Sequence, residues 1–114
     1  MKNDLIIAIG EPKVREEVLN AGPRSIVMVE DVQKLSKRKF IHEIIPVGHE
    51  GIKGSLEMMG SISGYKYKIE PEGDIDIEKS AGPSTVVLVT LAEEKKEMLR
   101  RLVKKPVQVI GRIS

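Results

Sequence analysis

The residues best suited to chemistry lie in a glycine-flanked turn, Gly48-His49-Glu50-Gly51-Ile52-Lys53. The turn follows the apolar run Ile41-His42-Glu43-Ile44-Ile45-Pro46-Val47 and opens a helical pattern. A strand that passes through glycines into a helix leaves backbone N–H groups without intrahelical partners at the positive end of the helix dipole, which suits an anion. Lys53 would add a cation there, and Gly48 and Gly51 would let the backbone approach a ligand. The same glycines also fit a turn that holds nothing, and both readings stand at this point. His49, beside Glu50, is either a ligand contact or an exposed loop residue. The candidate anion site is therefore Gly48, His49, Glu50, Gly51, Ile52 and Lys53, for a small phosphate-containing ligand.

Other chemistry is poorly provided for. His42, flanked by Ile41 and Glu43, reads as a structural or surface residue of a strand. Two histidines and a glutamate do not form a metal-ligand pattern, and with no cysteine the chain has no thiolate, disulfide or zinc–cysteine site. No catalytic residue, metal or cofactor is assigned. Gly10-Glu11-Pro12 is a poorer phosphate turn, because its carboxylate would repel the ligand. Glu16-Glu17 and Glu93-Glu94 sit early in helical patterns, where the dipole accounts for them. Asp74 and Asp76 flank Ile75 and read as a solvated face. Ser80, Ser84 and Thr85 have no histidine partner in the sequence, so a nucleophilic triad is not supported.

The balance of charge narrows the partners. Nineteen basic and 17 acidic residues leave a net charge of +2, a mixed surface rather than a polyanion-binding one. One Phe, two Tyr and no Trp give little to stack on exposed bases, which argues against nucleic acid. The densest basic run, Lys34-Leu35-Ser36-Lys37-Arg38-Lys39, is either a solvated helix end or a contact patch for phosphate or a partner. No apolar run reaches the length of a membrane span or a signal sequence, so a cytoplasmic protein is expected. High charge with many Ile and Val and no Cys or Trp fits thermophile or archaeal usage.

Positioning these residues requires a series of short elements. Residues 4–9 read as a buried strand closed by Gly10. A helix follows from Pro12 to a stop at Gly22-Pro23. A strand over 25–29, a short helix over 30–37 and a strand over 40–47 come next. A helix from Ile52 is stopped by Gly64, with Ile52, Leu56 and Met59 on its inner face. Strands over 65–69 and 85–89 flank a turn and an Ala81-Gly82-Pro83 hinge. Thr90-Leu91-Ala92-Glu93 has the form of a capping box before a helix reaching Val103, and a last strand covers 107–113. The expected fold is one α+β domain over residues 1–114, a mixed sheet with helices packed on it. Residues 40–113 have the ferredoxin-like β-α-β-β-α-β order, preceded by a β-α-β-α segment. Both later helices are expected on one face of the sheet.

Residues 41–113 resemble the C-terminal domain of the aminoimidazole ribonucleotide synthetase (AIR synthase) superfamily. That superfamily also includes selenophosphate synthetase, thiamine-monophosphate kinase and a hydrogenase maturation protein. The likeness rests on Ile44-Ile45-Pro46-Val47-Gly48-His49-Glu50-Gly51-Ile52 with Leu56-Glu57-Met58 and Ser61-Ile62-Ser63-Gly64. It rests also on Ala81-Gly82-Pro83-Ser84-Thr85-Val86-Val87-Leu88-Val89 and on Pro106-Val107-Gln108-Val109-Ile110-Gly111-Arg112-Ile113. Asn3-Asp4-Leu5-Ile6-Ile7-Ala8-Ile9-Gly10 is similar to the strand that leads into that domain. The departures are specific. The family carries Asp-x-Thr-x-Gly-Gly at the loop, whereas here Pro46 stands near the aspartate position and His49-Glu50 replace the polar-plus-glycine pattern. The segment from Ile69 to Ser80 is shorter, and the family's ATP-binding domain has no counterpart.

The resemblance implies a stand-alone domain that is non-catalytic by itself and binds a small anionic ligand or a partner protein. The alternative is one half of a split ATP-dependent synthetase or kinase that needs a separate nucleotide-binding chain. Either way part of the surface is expected to be covered, by a homodimer or by a separately encoded partner, over about 1,200–2,000 Å². Residues 5–19 are the expected contribution to that interface.

Overall fold

A computed structural model describes residues 3–10, 29–48, 50–64, 66–71, 73, 75, 77–78, 86–103 and 105–113. The strands are β1 (Leu5–Ile9), β2 (Ile41–Val47), β3 (Tyr67–Ile69), β4 (Val86–Leu91) and β5 (Val107–Ile113). The helices are α1 (Val29–Ser36), α2 (Gly51–Ser63) and α3 (Lys96–Leu102), the last preceded by a 3₁₀ turn over Glu93–Lys95. The expected helix after Pro12 and the hinge at Ala81 lie outside the described residues. So does most of the strand expected over 25–29, whose last residue, Val29, instead begins α1.

The five strands among the described residues join one sheet in the order β2-β4-β1-β5-β3. Each pairing is antiparallel, where a mixed sheet was expected. The β-α-β-β-α-β sequence of elements is present from β2 to β5. Yet β1 lies between β4 and β5, at the centre of the sheet, and this changes where the helices go.

β1 reads Leu-Ile-Ile-Ala-Ile and is buried at every position. Strand side chains alternate between faces, so Ile6 and Ala8 enter one core and Leu5, Ile7 and Ile9 the other. α2 covers the first face through Ile52 and Leu56, joined by Met59. α1 and α3 cover the second through Leu35, Leu99 and Leu102. The expectation that both later helices share one face is therefore corrected. The reason lies in the strand order. The β2-α2-β3 and β4-α3-β5 crossovers pass in the same lateral direction across the sheet, but their strands run in opposite senses. A common hand for both crossovers then requires opposite faces.

The same centrality corrects the expected interface. Leu5, Ile6, Ile7, Ala8 and Ile9 are at most 4% exposed and cannot form an outer contact, while residues 11–19 lie outside the described residues. Exposed large apolar side chains are found instead on the helices: Met58 (55%) and Ile62 (74%) of α2, Met98 of α3 and Val32 of α1. No described helix is long and apolar enough to cross a membrane.

Two details fix the periphery. Asp31, in the first turn of α1, pairs at 3.4 Å with Lys105 in the turn before β5, both side chains being largely buried. On the other side, β5 carries a bulge against β1, where Ile6 faces Gly111 and Ile7 faces Val109. Gly111 also faces Ile69 of β3. A Cβ on Gly111 would collide with the backbone carbonyl of Lys68. A flexible neighbour could move aside, but a paired carbonyl cannot without breaking the β3–β5 ladder. Gly111→Ala is accordingly expected to cost about 2 kcal/mol or more in urea unfolding and to remove hydrogen-exchange protection from β3.

Candidate functional site

The predicted turn forms as a strand-to-helix junction. β2 ends at Val47, Glu50 has helical backbone angles, and Gly51 begins α2 with φ of 73°, a left-handed value that favours glycine. The Gly51 N–H donates to the Gly48 carbonyl at 3.3 Å. Gly48, Glu50, Gly51, Ile52 and Lys53 are thus brought together, and His49 lies outside the described residues.

The chain's own carboxylate stands at this junction, without a side-chain bond to the first amides of α2. Glu50 Oε1 accepts a hydrogen bond from Ser55 Oγ at 2.7 Å and a long one from the Gly48 N–H at 3.4 Å. The Lys53 N–H donates to the Ile77 carbonyl at 2.8 Å, so one early helical amide is already satisfied. Lys53 Nζ lies 3.6 Å from Glu78. The Ile52 side chain is fully buried in the α2-side core, which leaves only its backbone for any ligand. Glu50 supplies the negative charge that a helix N-terminus favours, and an external anion must compete with it. Sequence reasoning took Glu50 as a lining residue. The missed signal was Ser55, placed one helical turn onward to hold the carboxylate in.

A second polar cluster sits at the opposite end of β2. Asp4, 4% exposed, accepts at 2.6 Å from His42 Nδ1 if that nitrogen carries the proton. His42 falls where the β2–β4 register shifts between Ile41 and Glu43, and such a bulge re-aims a side chain. Nearby, fully buried Thr90 donates through Oγ1 to Glu43 at 3.5 Å. His42 is thus a strand residue, as expected. Asp4 was not singled out from sequence, although a lone acid opening an all-apolar strand was the available signal.

Thr90 also overturns the expected capping box. It belongs to β4, and the 3₁₀ turn has Ala92 at its cap with no side-chain bond. Glu93 pairs with Arg112 of β5 instead of reaching back. Arg112 bonding to Glu93, with its charge beside it and Lys96 adding to the effect, holds that carboxyl below the usual range. This pair edges a groove of about 410 Å³ lined by Leu5, Glu93, Glu94, Lys96, Glu97 and Arg112. Its mixed charge selects no single ligand sign. Among the described residues, no three histidine, aspartate or glutamate side chains gather as a metal site.

The architecture is that of an α+β protein with a central antiparallel sheet covered on both faces. A comparison with protein-family models finds no match, and neither does a search of curated proteins. Among solved structures, the fold is similar to that of E. coli HypE, a hydrogenase maturation protein, with a TM-score of 0.69 at 12% identity. The likeness covers 99% of this chain and 44% of HypE, so the chain spans less than half the length of that protein.

Two substitutions probe these sites. Glu50→Gln keeps the shape and removes the competing charge, so phosphate affinity at the Gly48–Lys53 turn is expected to rise about fivefold, the factor that accompanies about 1 kcal/mol. Chemical-shift titration of the loop amides reads this directly. His42→Ala removes a hydrogen bond from a buried carboxylate and is expected to cost about 1–3 kcal/mol in denaturant unfolding.

Proposed function

We propose that this chain is a domain of the AIR synthase-like superfamily that is non-catalytic by itself and binds a small anionic ligand or a partner protein. The observation that carries the reading is the fold match, which takes in nearly the whole chain but under half of HypE. The superfamily resemblance of residues 41–113, of which a hydrogenase maturation protein is one member, points the same way. The ligand reading rests on the Gly48–Lys53 junction and the partner reading on exposed Met58 and Ile62 of α2.

A second reading is favoured by the same 44% share: one half of a split ATP-dependent synthetase or kinase, completed by a separate nucleotide-binding chain. The two differ in whether turnover appears on addition of such a chain. Phosphoryl transfer depends on positioned cations and a phosphate cradle, and the described residues offer no gathered carboxylates for the cations. The purified chain is therefore expected to show no magnesium-dependent ATP hydrolysis. Hydrolysis that disappears on substitution within this chain would overturn the proposal. Turnover that appears only with an added nucleotide-binding domain would establish the split enzyme.

A further inference from the structure

The basic run singled out in the sequence is not used by the reading above. Lys34, Lys37, Arg38 and Lys39 are all exposed, and none of them makes an ion pair with a described residue. The contrast with other cations is direct: Lys53, Lys68, Arg100, Lys105 and Arg112 each lie against a carboxylate. The helix dipole accounts for basic residues in the last turn, but its effect fades beyond that turn. α1 ends at Ser36, so Arg38 and Lys39 fall outside it.

The run leads straight into β2. Arg38 N–H donates to the Leu35 carbonyl at 3.1 Å, and Ile41 N–H to the Arg38 carbonyl at 3.3 Å. These bonds tie the basic turn to both the end of α1 and the start of β2. Among the described strands β2 is outermost and pairs only with β4. In an antiparallel ladder, alternate residues turn their N–H and C=O groups outward. Pro46 has no N–H to offer, the Ile41 N–H is given to Arg38, and the β2–β4 register shifts between Ile41 and Glu43, so the pairing groups left on this edge lie within residues 42–44. Half-buried Phe40, Ile41 and Ile44 lie in or beside that stretch, packed against the α1-side core.

Resting on the partner-binding reading, we infer that residues 37–44 form a docking edge for an acidic, extended segment of another protein. The segment adds as a strand beside residues 42–44. Its carboxylates meet Lys37, Arg38 and Lys39, and an apolar side chain covers Ile41 and Ile44. Strand addition takes affinity from main-chain bonds and specificity from alternate side chains. Charge complementarity sets the sign of the partner. Nucleic acid is disfavoured because Phe40 is half-buried against the core and offers no open stacking platform.

The test is a titration of the isotope-labelled full chain with an acetylated heptapeptide that alternates Glu and Val, followed by backbone amide shifts. Shifts confined to residues 37–44 are expected. Affinity should fall at least about tenfold in the triple variant Lys37→Glu, Arg38→Glu, Lys39→Glu, and should fall as salt rises. The same peptide N-methylated at alternate amides keeps its charge, leaves the protein unchanged and is expected to lose at least about tenfold. Shifts elsewhere, no shifts, or equal binding of the N-methylated peptide would overturn the inference. So would equal or stronger shifts of these amides with oligothymidylate or phosphatidylserine vesicles, which would mark a general polyanion patch. The peptide reports on this edge alone and ATP turnover on the function proposed above, so either can fail separately.

Discussion

A strand with no polar face governs this fold. Leu5 to Ile9 places apolar side chains on both sides of the backbone, so its burial requires cover above and below. Each large side chain removed from water contributes about 1.5–3 kcal/mol, and none of Leu5, Ile6, Ile7 and Ile9 could be solvated without losing that contribution. Only the centre of a sheet between two helical layers meets the requirement. Once β1 occupies the gap between β4 and β5, the two later crossovers share a lateral direction while their strands run oppositely. A shared hand then sends α2 to one face and α3 to the other. β4, its neighbour, is buried at all six positions for the same reason.

Away from this axis the chain secures its rim with close backbone contacts and polar pairs. Gly111 allows a three-residue edge strand to approach β5 where a side chain would block it. The Asp31–Lys105 pair ties α1 to the turn before β5, and Asp4–His42 reaches from the start of β1 to β2, the outermost of the described strands on that side. Such buried or half-buried pairs stabilise little against a well-packed apolar alternative, but losing one partner takes a charged or hydrogen-bonded contact away from a buried group and is costly. They act as register marks: each connects a particular residue of an outer element to a particular residue of the core.

Local pattern and the α+β class, one sheet with helices packed on it, were readable in the sequence; the place of β1 within that sheet was not. β5 was expected over its observed span, and Gly64 was expected to end α2. Its left-handed φ of 79° confirms the reason. Those features depend on residues close together in the chain. The opposite-face placement of the helices depends on where β1 inserts, which local periodicity does not encode. Thr90-Leu91-Ala92-Glu93 failed for a related reason. Its pattern matches a cap, but Glu43 and Arg112 compete for the two polar side chains, and both come from distant strands. The Gly48–Lys53 turn was legible as a strand-to-helix junction. That Glu50 folds back into it depends on Ser55 and on the space beside Gly54, where a Cβ would lie 2.8 Å from Glu50 Cβ.

This last contact bears on what the junction can do. An open helix N-terminus would bind any anion of suitable size with little selectivity. Glu50, held by Ser55, makes no side-chain bond to the first amides of α2 but places a negative charge beside them, and an incoming anion meets its repulsion. A weak ligand such as free phosphate gains little against that charge, so a tighter one needs further contacts beyond the turn, from Lys53 or from a second protein surface laid against α2. On the function proposed above, anion binding at the start of α2 and partner binding along it would be coupled: a partner that supplied the missing contacts would raise the affinity for the anion, and by reciprocity the bound anion would raise the affinity for the partner.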